Sequence, residues 1–268
     1  ICLSDWSSDV CSSDLPGPGL SVSCAAGRGA ALCARHAHPD PHHPLRALRR
    51  AGLRRQVVGR HRRDDDLGGA GAGVGELGQR ELRLPPSLRL VFVGGCTTAL
   101  FITDEITLEG VRATDDVDLI VDLVGRAQWA QLQEQLRQKG FAESPEDDVI
   151  CRMRLGDLKV DFMPDDESIL GFSNRWYAKG IETAVNHPLT DTITIKRLTP
   201  ELFLATKLEA YLGRGNNDLL GSRDMEDILL VVDGREELVA EIQAADEDVR
   251  RYIAEQFRAL LEHDDFDH

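Results

Sequence analysis

The first 88 residues contain no lysine, and the whole chain lacks a C-x-x-C pair, has few aromatics (5%) and offers no long apolar run. Each absence excludes something. Without C-x-x-C spacing the six cysteines supply neither a zinc ribbon nor a disulfide framework, so reduced thiols are expected, with Cys96 the one near candidate chemistry. Spanning a bilayer takes roughly 20 consecutive apolar residues. With no such run, and no basic stretch leading into an apolar one at the N-terminus, a cytoplasmic protein is expected. The net charge of −15 reflects a shortage of Lys and Arg, which argues against broad, non-specific affinity for nucleic acid because phosphate binding draws on positive surface. An RNA partner must then be gripped locally. What is present, 42% apolar residues over 268 positions, is enough to bury a core.

The lysine gap ends where composition changes, near residue 88. Before it come the Arg pairs Arg49/Arg50, Arg54/Arg55 and Arg62/Arg63, a run of His and Pro from His36 to Pro44, and a Gly/Ala tract from Gly68 to Gly75. No helix or strand period lasts long enough there to build a core. The string DWSSDVCSSDL, Asp5 to Leu15, resembles the translation of a sequencing-adapter oligonucleotide, and the text after it looks like GC-rich DNA read out of frame. Residues 1–88 are therefore expected to be an artefactual or disordered segment. The alternative is a natural metal-binding extension, because five of the eight histidines lie there (36, 38, 42, 43, 61).

Beyond residue 88 stand 19 of the 31 basic and 37 of the 46 acidic residues, and periodic patterns begin. Leu88 to Val93 reads as a buried strand ended by Gly94-Gly95, turning into a helix through Cys96 to Phe101. Val117 to Val121 gives a second strand, and Gln128 to Lys139 a helix with Trp129, Leu132 and Leu136 at helical spacing, stopped at Gly140. Val149 to Leu155 and Leu158 to Met163 form a hairpin around Gly156-Asp157. Thr192 to Ile195 alternates as a strand, and His187 before Pro188 reads as a turn. From Thr199, an N-cap ahead of Pro200, the pattern is helical, with further helices at 223–232, 235–244 and 246–261. The expected fold is α/β (α+β): a mixed-sheet core over 89–198, then a small C-terminal helical bundle over 199–268. Phe172, Trp176 and Tyr177 are expected in core packing or a pocket wall, and 264–268 as a frayed end.

Phosphoryl and nucleotidyl transfer need a divalent metal held by carboxylates. Asp116 and Asp118, two apart on a strand, point to one face and can share a metal. A third acid, Asp161, sits in the apolar strand Lys159-Val160-Asp161-Phe162, where an unpaired charge is costly. Its plainer role is an ion pair with Lys159 or Arg154, and that of the first two a solvated strand end. Gly94-Gly95 at a strand-to-helix turn lets backbone N–H groups approach a triphosphate.

In order, GGCTTAL, RATDDVDLI, LKVDFMP and FLATKLEAYLGRGNNDLLGSRDMEDI resemble motifs of the nucleotidyltransferase superfamily. Within it they are similar to the AbiEii-type enzymes of abortive-infection and type IV toxin–antitoxin systems. The resemblance spans about residues 90–235. It implies that Gly94 and Gly95 cradle nucleotide phosphates and that Asp116, Asp118 and Asp161 bind Mg²⁺ or Mn²⁺, Asp161 also acting as general base. It further implies triphosphate contacts from Lys207 and Arg112, and a catalytic part for Asp224 within Arg223-Asp224-x-x-Asp227. Cys96 stands where a small hydroxyl or methyl residue commonly follows the two glycines, so Thr97 or Thr98 is expected to donate instead. The helix that usually precedes the first strand is not recognisable.

The implied reaction moves an NMP from an NTP to an acceptor hydroxyl, with RNA, such as a tRNA 3′ end, as acceptor and a separate antitoxin protein as restraint. The alternatives are a small-molecule acceptor such as an antibiotic, a protein side chain as acceptor, or a nucleotide-binding module without turnover.

Overall fold

The computed structural model describes residues 88–215 and 218–263. Nearly all of the expected artefactual segment and the tail from Asp264 lie outside the described residues.

The elements run β1 (Leu90–Val93), a 3₁₀ helix (Gly95–Phe101), α1 (Glu105–Leu108), β2 (Asp116–Val121), α2 (Arg126–Gln138), β3 (Arg152–Leu155) and β4 (Leu158–Pro164). There follow α3 (Glu167–Leu170), α4 (Tyr177–Glu182), β5 (Val185–Pro188), β6 (Thr194–Arg197), α5 (Pro200–Arg214), α6 (Arg223–Gly234), α7 (Leu238–Ala244) and α8 (Glu247–Leu261). The strands make one mixed sheet in the order β3-β4-β2-β1-β6-β5. β2/β4 and β1/β6 pair parallel, whereas β1/β2, β3/β4 and β5/β6 pair antiparallel. The fold is thus of the mixed α/β class.

Strand alternation divides the core between the two faces of the sheet. Phe92, Val117, Leu119, Val121, Val160 and Phe162 face one way and pack with Trp129, Leu132 and Leu136 of α2. Val91, Val93 and Ile120 face the other, where α5, α6 and α8 bring Phe203, Ile228, Leu230 and Phe257. Asp116, Asp118 and Asp161 share the second face by the same alternation, so the acids meet the C-terminal helices and not α2.

Local signals account for the helix ends. Ser222 Oγ accepts a hydrogen bond from the Met225 N–H at 3.3 Å and opens α6. Pro200 opens α5, where its missing N–H costs nothing, and Thr199 is the N-cap as expected, although its side chain makes no capping hydrogen bond. Two expectations need correction. His187 lies in β5 opposite Ile195, since Pro188 at the end of an outer strand needs no ladder donor. Trp176 is buried and its ring lies 5.0 Å from Tyr252, whereas Phe172 of the same stripe is exposed.

Candidate active site

The site is assembled where β1 ends beside β2. Val93 pairs with Asp118, and the chain then turns at Gly94 with φ 73° and ψ −168°, a conformation open to glycine and strained for other residues. A Cβ at Gly94 would collide with the carboxylate of Asp118, so the glycine also permits the close approach. At Gly95 a Cβ would press on Arg112 Nη2 at 3.1 Å and Asp227 Oδ2 at 3.3 Å. Thr97 is fully buried and its hydroxyl donates to the Gly94 carbonyl at 2.9 Å, which ties the turn together. The Thr98 hydroxyl, also buried, makes no hydrogen bond. Cys96 is buried too, with its thiol on the Val93 carbonyl at 3.1 Å, and burial pushes its pKa up.

β2 and β4 run parallel with Asp118 opposite Asp161 and Asp116 opposite Lys159, which gathers the three acids at one place on the sheet. Asp161 is not paired with Lys159 or Arg154. Its partner is Arg152, opposite it in the β3–β4 hairpin: Nε donates to Asp161 Oδ1 at 2.7 Å and Nη2 to Oδ2 at 2.8 Å. The same Nη2 reaches Asp116 Oδ2 at 3.1 Å. Arg154 instead grips Asp147, at 2.7 and 2.8 Å.

The helical side contributes a second charged group. Lys207 Nζ on α5 donates to Asp224 Oδ1 at 3.0 Å and to Asp227 Oδ2 at 2.6 Å on α6. Arg214 adds two bonds to Asp224, at 2.8 and 2.9 Å, with its own side chain 72% exposed. Arg112 lies 3.3 Å from Glu226 and 3.6 Å from Asp227. Lys207 is 7% exposed as a side chain, so its charge is committed to the two helices it joins. Desolvation works against that charge, yet Asp227 and Asp224 hold the Lys207 pKa above its ordinary value. Desolvation would likewise raise Asp224, and the hydrogen bonds and charge of Arg214 and Lys207 hold it below the ordinary range.

Asp118 is the acid left without a cation of its own. Burial first, then the charge of Asp116 and Asp161, pushes its pKa up to about 7, against the opposing pull of Lys207 and Arg214. Six carboxylates (Asp116, Asp118, Asp161, Asp224, Glu226, Asp227) thus face four cations (Arg112, Arg152, Lys207, Arg214). Such a surplus of hard oxygen donors is the kind of set a divalent cation takes, and the Asp118 carboxylate sits against Gly94. In this arrangement, with Arg152 across Asp161 and Asp116, no group of three His, Cys, Asp or Glu among the described residues is disposed to hold a metal ion. Arg152 holds Asp161 and Asp116, two of the three acids expected to bind the metal.

Of the expected site residues, Gly94, Gly95, Asp116, Asp118 and Asp161 lie together along β1, β2 and β4. Lys207, Asp224 and Arg112 belong to an adjoining ion-pair group, from which Lys207 acts on Asp118. Sequence reasoning missed Arg152, whose signal was the hairpin register: a two-residue turn at Gly156-Asp157 sets Arg152 opposite Asp161. Tyr177, expected in core packing or a pocket wall, is half-buried with its hydroxyl on Met163 Sδ at 3.4 Å. Burial, then the charge of Asp118, keeps that phenol protonated.

A scan of protein-family models returns no match, and neither does a search of curated proteins. Among solved structures the chain is similar to an antigenic nucleotidyltransferase-like protein from Paracoccidioides brasiliensis, at 18% identity over 72% of this chain and 87% of that one, with a TM-score of 0.45. It is also similar to the antibiotic-resistance factor ANT(2'')-Ia, at 14% identity over 82% of this chain and 98% of that one, with a TM-score of 0.37.

Proposed function

We propose that the β1–β4 face carries a nucleotidyltransferase site that moves an NMP from an NTP to an acceptor hydroxyl and releases pyrophosphate. The observation that carries this reading is the convergence of Asp116, Asp118 and Asp161 on adjacent strands, beside a glycine turn pressed against Asp118. The acceptor oxygen bonds to the α-phosphorus while the bond from that phosphorus to the bridging oxygen breaks. The acceptor proton goes to a carboxylate, and the electron pair leaves with pyrophosphate.

Asp116, Asp118 and Asp161 would hold Mg²⁺ or Mn²⁺, which when bound supplies charge neutralisation for the triphosphate. Gly94 and Gly95 would lend backbone N–H groups to phosphate, while the lack of a Cβ at each leaves room for Asp118, Arg112 and Asp227 against the turn. Arg214, with its exposed guanidinium, is better placed than buried Lys207 to meet phosphate, and Lys207 positions Asp224 and Asp227. Asp161 serves as base only once its two oxygens are free of Arg152.

The motif resemblance favours an RNA acceptor, such as a tRNA 3′ end, and restraint by an antitoxin protein. A second reading, a small cationic acceptor such as an aminoglycoside, is favoured by the net charge of −15 and the surplus of carboxylates at the site.

The test incubates the full chain, wild type beside Asp118→Ala, with each α-labelled NTP, Mg²⁺, total cellular RNA and protein, and an aminoglycoside panel. Label entering RNA with the wild type alone supports the first reading, and label entering the aminoglycosides supports the second. Equal labelling by Asp118→Ala removes the site assignment, and label in no acceptor removes the activity.

A further inference from the structure

We infer that Arg152 is an internal competitor for the metal position, coupling metal binding to nucleotide binding. The inference rests on the metal-dependent reading above and deepens it at Arg152.

Arg152 is 14% exposed as a side chain and spends three of its N–H donations on acids of the candidate metal set, two on Asp161 and one on Asp116. The fork is bidentate on Asp161, the geometry in which guanidinium holds carboxylate most firmly. A divalent ion entering between Asp116 and Asp161 takes the same oxygens, so it must displace the guanidinium or share them with it. Displacement leaves a cation buried beside a new dication, which is unfavourable unless an anion arrives to receive it.

A triphosphate is such an anion, and guanidinium binds phosphate oxygens with the same fork. Metal alone therefore meets a penalty that metal with nucleotide does not, and by linkage each ligand strengthens the other by the same factor. Placement in the sheet suits an exchange of partners. β3 is the end strand of the sheet, with β4 on one side and a bridge from Arg154 to Ala142 on the other, and Arg152 is its first residue, away from that bridge.

The test measures Mn²⁺ affinity by the loss of the free-ion EPR signal, with and without the α,β-methylene analogues of ATP, GTP, CTP and UTP in turn. Full-length wild type, Arg152→Gln, Arg152→Lys and Asp118→Ala are compared, with folding followed by circular dichroism. Wild type is expected to bind Mn²⁺ weakly alone and at least about tenfold more tightly with an effective analogue. Arg152→Gln is expected to bind Mn²⁺ alone about tenfold more tightly than wild type and to gain less from nucleotide, with Arg152→Lys between them.

A folded Arg152→Gln with unchanged or weaker Mn²⁺ affinity, or with full nucleotide coupling, overturns the inference while leaving the metal-dependent reading in place. Should Arg152→Gln fail to fold, Arg152→Lys, which keeps the charge and loses the fork, decides by the same comparison. Absence of Mn²⁺ binding in every protein, with or without nucleotide, removes the metal-dependent reading and this inference together.

Discussion

Asp118 holds its charge at a cost, and the cost has a pH signature. Its carboxyl titrates near 7 in the folded protein, because burial and then Asp116 and Asp161 oppose ionisation, and at an ordinary carboxylate pKa of about 4 when unfolded. The folded state therefore binds the proton more tightly. This contribution to stability is fully present below about pH 4 and is lost as pH rises through 7. Asp118→Asn removes the ionisation, so in metal-free buffer the variant is expected to gain melting temperature over wild type at pH 8 and distinctly less at pH 5. Thermal melts at the two pH values check this; an equal difference at both would show that the carboxyl is not held near neutrality. At the same scale, the shared face of Asp116 and Asp118 was legible from their spacing, whereas the fork of Arg152 was not, because it depends on which residue the hairpin sets opposite Asp161.

Between α5 and α6 the lock is electrostatic inside an apolar seam. Lys207 joins the two helices through Asp224 and Asp227 amid Leu208, Met225 and Ile228, all essentially buried. Replacing it by methionine fills similar space and strands buried carboxylates beside the partial relief of Arg214 and Arg112. Lys207→Met is expected to cost about 3 kcal/mol or more of unfolding free energy in a denaturant titration; a loss under about 1 kcal/mol would show that Arg214 and Arg112 already satisfy both acids. The elements legible in the sequence were those that showed a period or a marked boundary: β1 before its two glycines, β2, α2, the β3–β4 hairpin, β6 by its alternation, α5, α6, α7 and α8. The four-residue pieces α1, α3 and β5 were not, since one turn of helix or two alternations leave no pattern, and their positions follow from the neighbours they pack on. β5 exists because β6 offers it an edge.

One sheet serves as the floor of two cores, so the faces should stand or fall together. Phe162 is buried on the α2 face and Phe203 on α5 across the sheet, each without exposed surface. Phe162→Ala and Phe203→Ala are each expected to cost about 3–5 kcal/mol. In both variants the fluorescence of Trp129 and Trp176, one in each core, should shift with the circular dichroism signal in one transition. Two separated midpoints would show that the faces unfold independently.

The parallel pairing of β2 with β4 also bears on the order in which the chain can come together. Strands β2 and β4 meet only after the crossover through α2, a slow, long-range closure, while β3 and β4 join across a two-residue turn. The hairpin can therefore form first, and with it the grip of Arg152 on Asp161. The third acid then reaches Asp116 and Asp118 already paired with its cation, so it adds less bare charge to the two acids of β2.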